Sequence, residues 1–191
     1  MPGVETQKKR YSIDRRFVGI FVLYFFASLL LGKLSLELAA NQDGVAIIWL
    51  PAGVALVGLV FIDMRLWPSI ALSSFVSNFY NGLPIEATIG IAIGSTLGAI
   101  TSAYALRAIG PWEELSIFSM SLKFGTIGAT ISSIISASLG IASLYFVGIL
   151  SASDLSSNWV RWLIGDWMGI FLFSSFMLIY HMFTDGDDAT R

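Results

Sequence analysis

Long apolar runs separated by short polar connections make up most of the chain. Crossing a bilayer takes about 20 mostly apolar residues, and six stretches approach or exceed that length: residues 17–38, 45–62, 66–82, 86–109, 121–150 and 158–183. Because the connections are short, helices adjacent in sequence are expected to pack side by side. The pattern predicts an all-α, polytopic membrane bundle of about six transmembrane helices. The roomier stretch 110–120 is interpreted as a short interfacial helix.

The composition agrees with a membrane protein and limits the kinds of metal, cofactor and catalytic site that the chain can form. Apolar residues make up 55% of the 191 and charged residues 13%, at a mean hydropathy of +0.76, whereas a soluble domain carries about 25% charged residues. The chain has no cysteine and one histidine, His181, so no metal site and no cofactor are predicted. Zinc-protease, serine-hydrolase and phosphate-loop motifs do not occur. We therefore predict no catalytic residue, no enzyme activity and no nucleic-acid partner.

The basic residues predict the orientation. Nine of the eleven can be placed on one side of the bilayer, and the side richer in Lys and Arg is the cytoplasmic one. The nine are Lys8, Lys9, Arg10, Arg15, Arg16, Arg65, Arg107, Lys123 and Arg191, and the other two are Lys33 and Arg161. Both termini are therefore predicted to be cytoplasmic. Residues 1–16 form a basic cytoplasmic segment, residues 17–183 the membrane domain and residues 184–191 a cytoplasmic tail.

This topology places polar and aromatic side chains from five helices in the outer half of the bilayer. Ser74, Ser77, Asn78 and Asn81, for example, recur at the spacing of one helical face. We expect a ligand-binding pocket in this layer. Its candidate residues are Trp49, Pro51, Asn78, Asn81, Glu86, Trp159, Arg161, Trp162 and Asp166.

Asp166 is the most informative of these residues. It lies about 12 Å below the predicted start of the last helix, and Arg161 lies about 5 Å below it, at 1.5 Å per residue. A charged Asp at the bilayer centre costs roughly 2.5–3.5 kcal/mol on insertion scales. We therefore expect Asp166 to face the interior of the bundle, with hydrogen-bond partners, or to be protonated.

The sequence does not decide which side chains interact with Asp166 and Arg161. Asn78, or backbone freed by Pro51 inside a kinked helix, are candidates for Asp166. Glu86 or Glu37 are candidates for Arg161. The alternatives to a pocket are a structural hydrogen bond from Asp166 to the third helix, snorkelling of Arg161 to the headgroups, and an aromatic belt of tryptophans.

Two rows of small residues indicate how the helices meet. They are Gly90, Gly94 and Gly98 on the fourth helix, and Gly125, Gly128, Ser132, Ser136 and Gly140 on the fifth. Such rows let helix backbones approach closely in lipid. We interpret them as packing within one chain, with a dimer face and a substrate path as alternatives.

Three stretches resemble the membrane-associated sensor domain of the first described type (the MASE family). They are "WLPAGVAL", "RLWPSIALSSFVSN" and "WVRWLIGDWMGIFL", and the resemblance covers residues 17–183. Leu163 stands where the family commonly has a second tryptophan. The family's pattern falls on Trp49, Pro51, Gly53, Arg65, Trp67, Pro68, Trp159, Arg161, Trp162, Gly165, Asp166 and Gly169.

The resemblance implies a sensory input domain. Members precede histidine kinases of two-component systems and enzymes of cyclic-di-GMP signalling. A kinase or cyclase output domain is therefore expected in the cytoplasm, in the same chain or as a partner. The expected location of the chain is the cytoplasmic membrane of a bacterium or archaeon. We interpret the output domain as absent or truncated in residues 184–191, with the chain either an input fragment of a longer receptor or a stand-alone relative. A homodimer stays open, as do the ligand and the sign of the signal.

The leading hypothesis is a sensor that binds a small ligand in the outer half of the membrane and transmits through the last helix. One alternative is a small-solute carrier, such as the substrate-binding membrane subunit of a vitamin importer. Another is a purely structural subunit.

Overall fold

The computed structural model describes residues 15–40, 48–109 and 117–188, and the regular elements within these ranges are all helical. They are α1 (Arg15–Ala40), α2 (Leu50–Val57), α3 (Trp67–Tyr80), α4 (Ile85–Ala108), α5 (Ile117–Lys123), α6 (Ala129–Phe146) and α7 (Leu155–Asp188). A π-helical turn, Phe124–Gly128, joins α5 to α6, and another, Gly58–Ile62, extends α2. Six helical rods result, and the predicted all-α membrane bundle is confirmed.

The rods differ in length. Within the described residues, three are long and apolar enough to cross a membrane: Arg15–Leu38, Ile85–Ala108 and Phe118–Phe146. α3 has 14 residues and rises only about 21 Å, against a hydrocarbon core of about 30 Å. α7 has 34 residues and rises about 51 Å, so it is long enough to extend beyond the bilayer.

The prediction of a helix over residues 45–62 is wrong at its start. α2 begins at Leu50, which places Pro51 in its first turn rather than in its interior. A first turn has no intrahelical acceptor for its N–H groups, so the proline breaks no hydrogen bond there and its fixed φ suits the helix. The predicted kink at Pro51, and the backbone it would have freed, are therefore absent.

Other helix ends shift by a few residues. The predicted span 121–150 begins at Ile117 and ends at Phe146, where Gly148 turns the chain at φ +77°. The span 158–183 extends to Leu155 and Asp188. The basic segment up to residue 14, residues 110–116 of the supposed interfacial helix and the tail from residue 189 lie outside the described residues.

The two small-residue rows pack against each other within the chain. A Cβ added to Gly98 would lie 2.6 Å from the Ser132 carbonyl oxygen, and one added to Gly94 would lie 2.8 Å from the Leu139 side chain. Real Cβ atoms do not approach other atoms so closely, so the glycines are what allows α4 to lie against α6. The interpretation as packing within one chain agrees with these contacts.

An apolar core closes the end of the bundle where α2 runs into α3. Leu56, Leu59, Leu66, Leu106 and Phe124 are fully buried there. Because the helix ends at Ile62, the Leu59 and Val60 carbonyls have no donor in their own helix. They accept instead from the Arg107 guanidinium, at 2.6 and 3.0 Å. The core and this cross-helix cap hold α2 and α4 together at the end opposite the candidate site.

Candidate functional site

Two adjoining cavities lie at the other end of α2. The larger has a volume of about 260 Å³, and we call it the large cavity; it is lined by α1, α3, α4, α6 and α7 and reaches the surface at Arg161. The smaller has a volume of about 40 Å³, room for about two or three waters. We call it the serine cavity. Trp49, Ser74, Ser95 and Asp166 line both cavities, so these four residues form the boundary between them.

Asp166 is buried, with 3% of its surface exposed. Its carboxyl group interacts with the side chains of Ser136 of α6 and Trp162 of α7. Ionised, a carboxylate has about four acceptor positions, so contacts with these two side chains leave it able to accept further hydrogen bonds. The expectation that Asp166 faces the interior of the bundle is confirmed.

The start of α2 is held against α7 through its backbone. The first N–H groups of a helix lack intrahelical acceptors and must find others when buried in lipid. Here the Trp49 N–H donates to the Gly165 carbonyl at 2.8 Å, and the Leu50 N–H donates to the Ser35 hydroxyl at 3.1 Å. Pro51 has no N–H to satisfy. A helix can therefore begin inside the bundle with its donors paired.

Glycines make this contact possible. A Cβ on Gly169 would lie 2.5 Å from the Trp49 carbonyl carbon, and one on Gly53 would lie 2.6 Å from the Gly169 carbonyl oxygen. Gly165 lies one turn before Gly169 and is also buried. α2 and α7 thus touch backbone to backbone, on either side of the residue that carries the buried carboxylate.

Trp162 is positioned by α6. A Cβ on Gly140 would lie 2.7 Å from the Trp162 ring, so the indole occupies the space that this glycine leaves. From there the Trp162 side chain interacts with Asp166 and lines the large cavity. The Trp49 side chain lines both cavities from the other side.

The MASE1 family model matches residues 18–185, most of the chain. The chain belongs to the MASE1 family. It is accordingly a membrane sensory domain, and the suspected resemblance is confirmed. Comparison with curated proteins and with solved structures gives no match.

Six of the nine predicted site residues of the MASE1 domain line the two cavities: Trp49, Pro51, Asn78, Arg161, Trp162 and Asp166. The other three do not. Asn81 is exposed and donates to the Ser77 carbonyl; Glu86 is exposed in the first turn of α4; and the Trp159 indole donates to Ser138 on the outer surface of α6.

The partners considered for the two charged residues of the MASE1 motif are wrong. The Asn78 amide donates to the Ser74 carbonyl of its own helix, 2.8 Å away, rather than to Asp166. Glu37 pairs with Lys33 at 3.7 Å. Among the described residues, neither Glu37 nor Glu86 forms an ion pair with Arg161.

Sequence reasoning missed most of the serine cavity of the MASE1 domain. Seven serines line it: Ser28, Ser73, Ser74, Ser77, Ser95, Ser132 and Ser136. Two of them, Ser132 and Ser136, had been assigned to helix packing, which they also serve. The available signal was the convergence of serines from four helices at the depth of Asp166, but the register that brings them together depends on the helix crossings.

Proposed function

We propose that this MASE1 domain detects a small ligand in the large cavity and signals through α7. The observation that carries the proposal is the position of Asp166: a buried carboxylate with space beside it. A polar group at this depth in a membrane protein is costly unless it serves a partner or a ligand. The large cavity offers two tryptophan faces, an arginine and this carboxylate to one small molecule.

The proposed orientation places the large cavity toward the outside of the cell. Arg65 and Arg107 lie at the apolar-core end, and that end also receives Arg15 and Arg16 at the start of α1. The side richer in basic residues is the cytoplasmic one. Both termini would then be cytoplasmic, and the domain would lie in the cytoplasmic membrane of a bacterium or archaeon.

α7 is the proposed transmitter. It carries Arg161, Trp162 and Asp166 at the large cavity and continues as one helix to Asp188, about 33 Å beyond Asp166. A ligand shifts a conformational equilibrium when it binds one state better than another. The Gly165 carbonyl of α7 is hydrogen-bonded to Trp49 at the start of α2. A ligand that displaces Trp49 or α7 would therefore change the packing of α7 against α2.

The proposed output is a cytoplasmic kinase or cyclic-di-GMP enzyme, in the same chain or as a partner. The membership in a family of sensory input domains supports this, and a homodimer would suit such an output. A movement of α7 would reach that partner along the helix itself, which passes the apolar core at the buried Ile170.

The carrier alternative needs a path past Asp166 to the opposite side. Leu56, Leu59, Leu66, Leu106 and Phe124 fill the bundle below the serine cavity with side chains that have no exposed surface. This packing favours a sensor over a carrier. Uptake of a bound solute by vesicles that contain the chain would instead support a carrier.

A thermal-shift screen of the purified chain against small metabolites tests the binding site. We expect a compound that raises the melting temperature of the parent but not of Asp166→Asn or Trp162→Ala. Glu86→Gln and Trp67→Ala are matched controls, because both residues are exposed and neither lines the large cavity or the serine cavity. Compounds that bind the two cavity variants as tightly as the parent would contradict the proposal.

Transmission can be measured separately. The chain has no cysteine, so two cysteines introduced at the exposed residues Ile62 and Phe176 can carry spin labels. We expect a bound ligand to change the distance between the labels. An unchanged distance distribution at saturation would argue against α7 as the transmitter.

A further inference from the structure

The floor of the large cavity presents hydrogen-bond acceptors. The Ser95 hydroxyl donates its proton to the Ile91 carbonyl at 3.0 Å, and the Ser74 hydroxyl donates to Ser95 at 3.5 Å. Each hydroxyl has one proton, so both offer only oxygen lone pairs to the cavity. The Asp166 carboxyl group lies beside them with acceptor capacity left. This floor is complementary to a group that donates several hydrogen bonds and accepts none.

The mouth of the large cavity has the opposite polarity. Arg161 lines it and is exposed, and a guanidinium donates up to five hydrogen bonds and accepts none. Arg161 forms no ion pair with the carboxylates of Glu37 and Glu86 in the described part of the chain. The mouth is therefore complementary to an anionic group.

These two ends are close together. Arg161 and Asp166 are five residues apart on α7, about 7.5 Å along the helix axis. No other ionisable side chain is found among the described residues that line the large cavity. Most other side chains of the lining are apolar (Leu36, Ile91, Ile141, Leu144 and Leu150), and two, Asn78 and Asn158, are neutral amides. A molecule that satisfies both ends needs opposite charges joined by a short apolar skeleton.

We propose that the ligand of the large cavity is a small zwitterion with a primary ammonium group and an acidic group. The ammonium donates to Asp166, Ser74 and Ser95, beside the faces of Trp49 and Trp162, which also attract cations. The acidic group binds Arg161 at the mouth. This inference rests on the proposed function, since it specifies the ligand class of the same cavity.

The test compares matched analogues on the full chain in lipid nanodiscs. The probes are the ω-amino acids from glycine to 6-aminohexanoate and the apolar α-amino acids, each with its N-acetyl and carboxamide derivative. Binding is measured by tryptophan fluorescence and by thermal shift. A separate library contains neutral and singly charged metabolites. We expect one zwitterion to bind, and removal of either charge to weaken it at least about tenfold.

Variants then assign each charge to its partner. Asp166→Asn should weaken the zwitterion by about tenfold or more while leaving its N-acetyl derivative unaffected, because the ammonium is what the carboxylate recognises. Arg161→Gln should also weaken the zwitterion while leaving its carboxamide derivative unaffected, because the guanidinium recognises the acidic group. Glu86→Gln and Lys33→Gln remove charges that do not line the cavity and should leave binding unchanged. Arg161 is exposed, so that variant is expected to fold even if Asp166→Asn does not.

The outcomes separate this inference from the proposed function. If a neutral or singly charged metabolite binds, its binding is lost in Trp162→Ala, and the zwitterions do not bind, the ligand class is wrong and the sensory cavity stands. Equal binding of a zwitterion and both of its blocked derivatives would also overturn the ligand class. If neither library contains a compound that binds, both proposals fail.

Discussion

Gly169→Ala should detach the start of α2 from α7. The added Cβ would lie 2.5 Å from the Trp49 carbonyl carbon, nearer still to its oxygen, and 3.1 Å from the Leu50 nitrogen. All three are backbone atoms, which cannot swing aside as the end of a side chain can. Ordinary contact begins near 3.4 Å, so the two helices must separate by about 1 Å.

That displacement has a cost that can be worked out. The Trp49 N–H to Gly165 carbonyl bond is 2.8 Å long, and a shift of about 1 Å takes it beyond hydrogen-bonding distance. A buried donor left unpaired costs about 1–3 kcal/mol, and overpacking costs about 1–3 kcal/mol. The better helix propensity of alanine offsets about 1 kcal/mol of this loss of stability. The net loss of stability is therefore about 1–5 kcal/mol.

The assay is thermal or denaturant unfolding of the purified chain in detergent, with Gly19→Ala as the control. Gly19 lies in α1 with nothing within 4 Å of an added Cβ. Gly19→Ala therefore gains helix propensity without a steric clash, and it should be neutral or slightly stabilising. If Gly169→Ala proves as stable as Gly19→Ala, the backbone contact between α2 and α7 is not as tight as described here.

Three further predictions concern other parts of the bundle. Arg107→Gln should destabilise the chain by about 1–2 kcal/mol in unfolding experiments, because it uncaps two carbonyls at the end of α2; full stability would show that water replaces the cap. Gly140→Ala should push the Trp162 ring, 2.7 Å from the new Cβ, toward the large cavity, which changes tryptophan fluorescence and costs about 1–3 kcal/mol; an unchanged spectrum would contradict the packing. Hydrogen bonds from Arg65 lower the pKa of Asp63, outside the membrane spans, from its ordinary value of 3.8. The stability this pair contributes should be present above that value and lost as the pH falls through the lower folded-state pKa, and Asp63→Asn should flatten the acid limb of melting temperature against pH; an unchanged acid limb would count against the pair.

The class of fold was predictable from the chain because the signal is strong. Six apolar runs with short connections permit few arrangements, and lipid forces each run to satisfy its backbone as a helix. The start of α2 was not predictable in the same way. Residues 45–49 are apolar enough to continue a helix, and only the contacts of Trp49 with Gly165 and Gly169 show why the described helix begins at Leu50.

The sequence was sufficient to predict the central residue of the candidate site, but not the full set of residues that line it. Asp166 was identified because a carboxylate at that depth is costly, an argument that needs only sequence and topology. Its partner Ser136 could not be identified, because serine carries almost no positional signal in a membrane helix and serves packing as well. Asn81 was a candidate for its depth and its helical face, and Glu86 for its depth and as a partner of Arg161. Neither argument says which way a side chain near a helix end points.

The first and last stretches of the family pattern meet in one contact, between the start of α2 and α7. Gly53, Gly165 and Gly169 are buried and have no side chain to offer a ligand. Gly53 and Gly169 lie against backbone across the junction of α2 and α7, and the Gly165 carbonyl accepts from the Trp49 N–H there. Pro51 allows α2 to begin there, since it lacks the donor that would otherwise need a partner. These residues build the junction. Trp49, Trp162 and Asp166 then project from it into the cavities, so a ligand held by these three acts directly on the contact between the two helices.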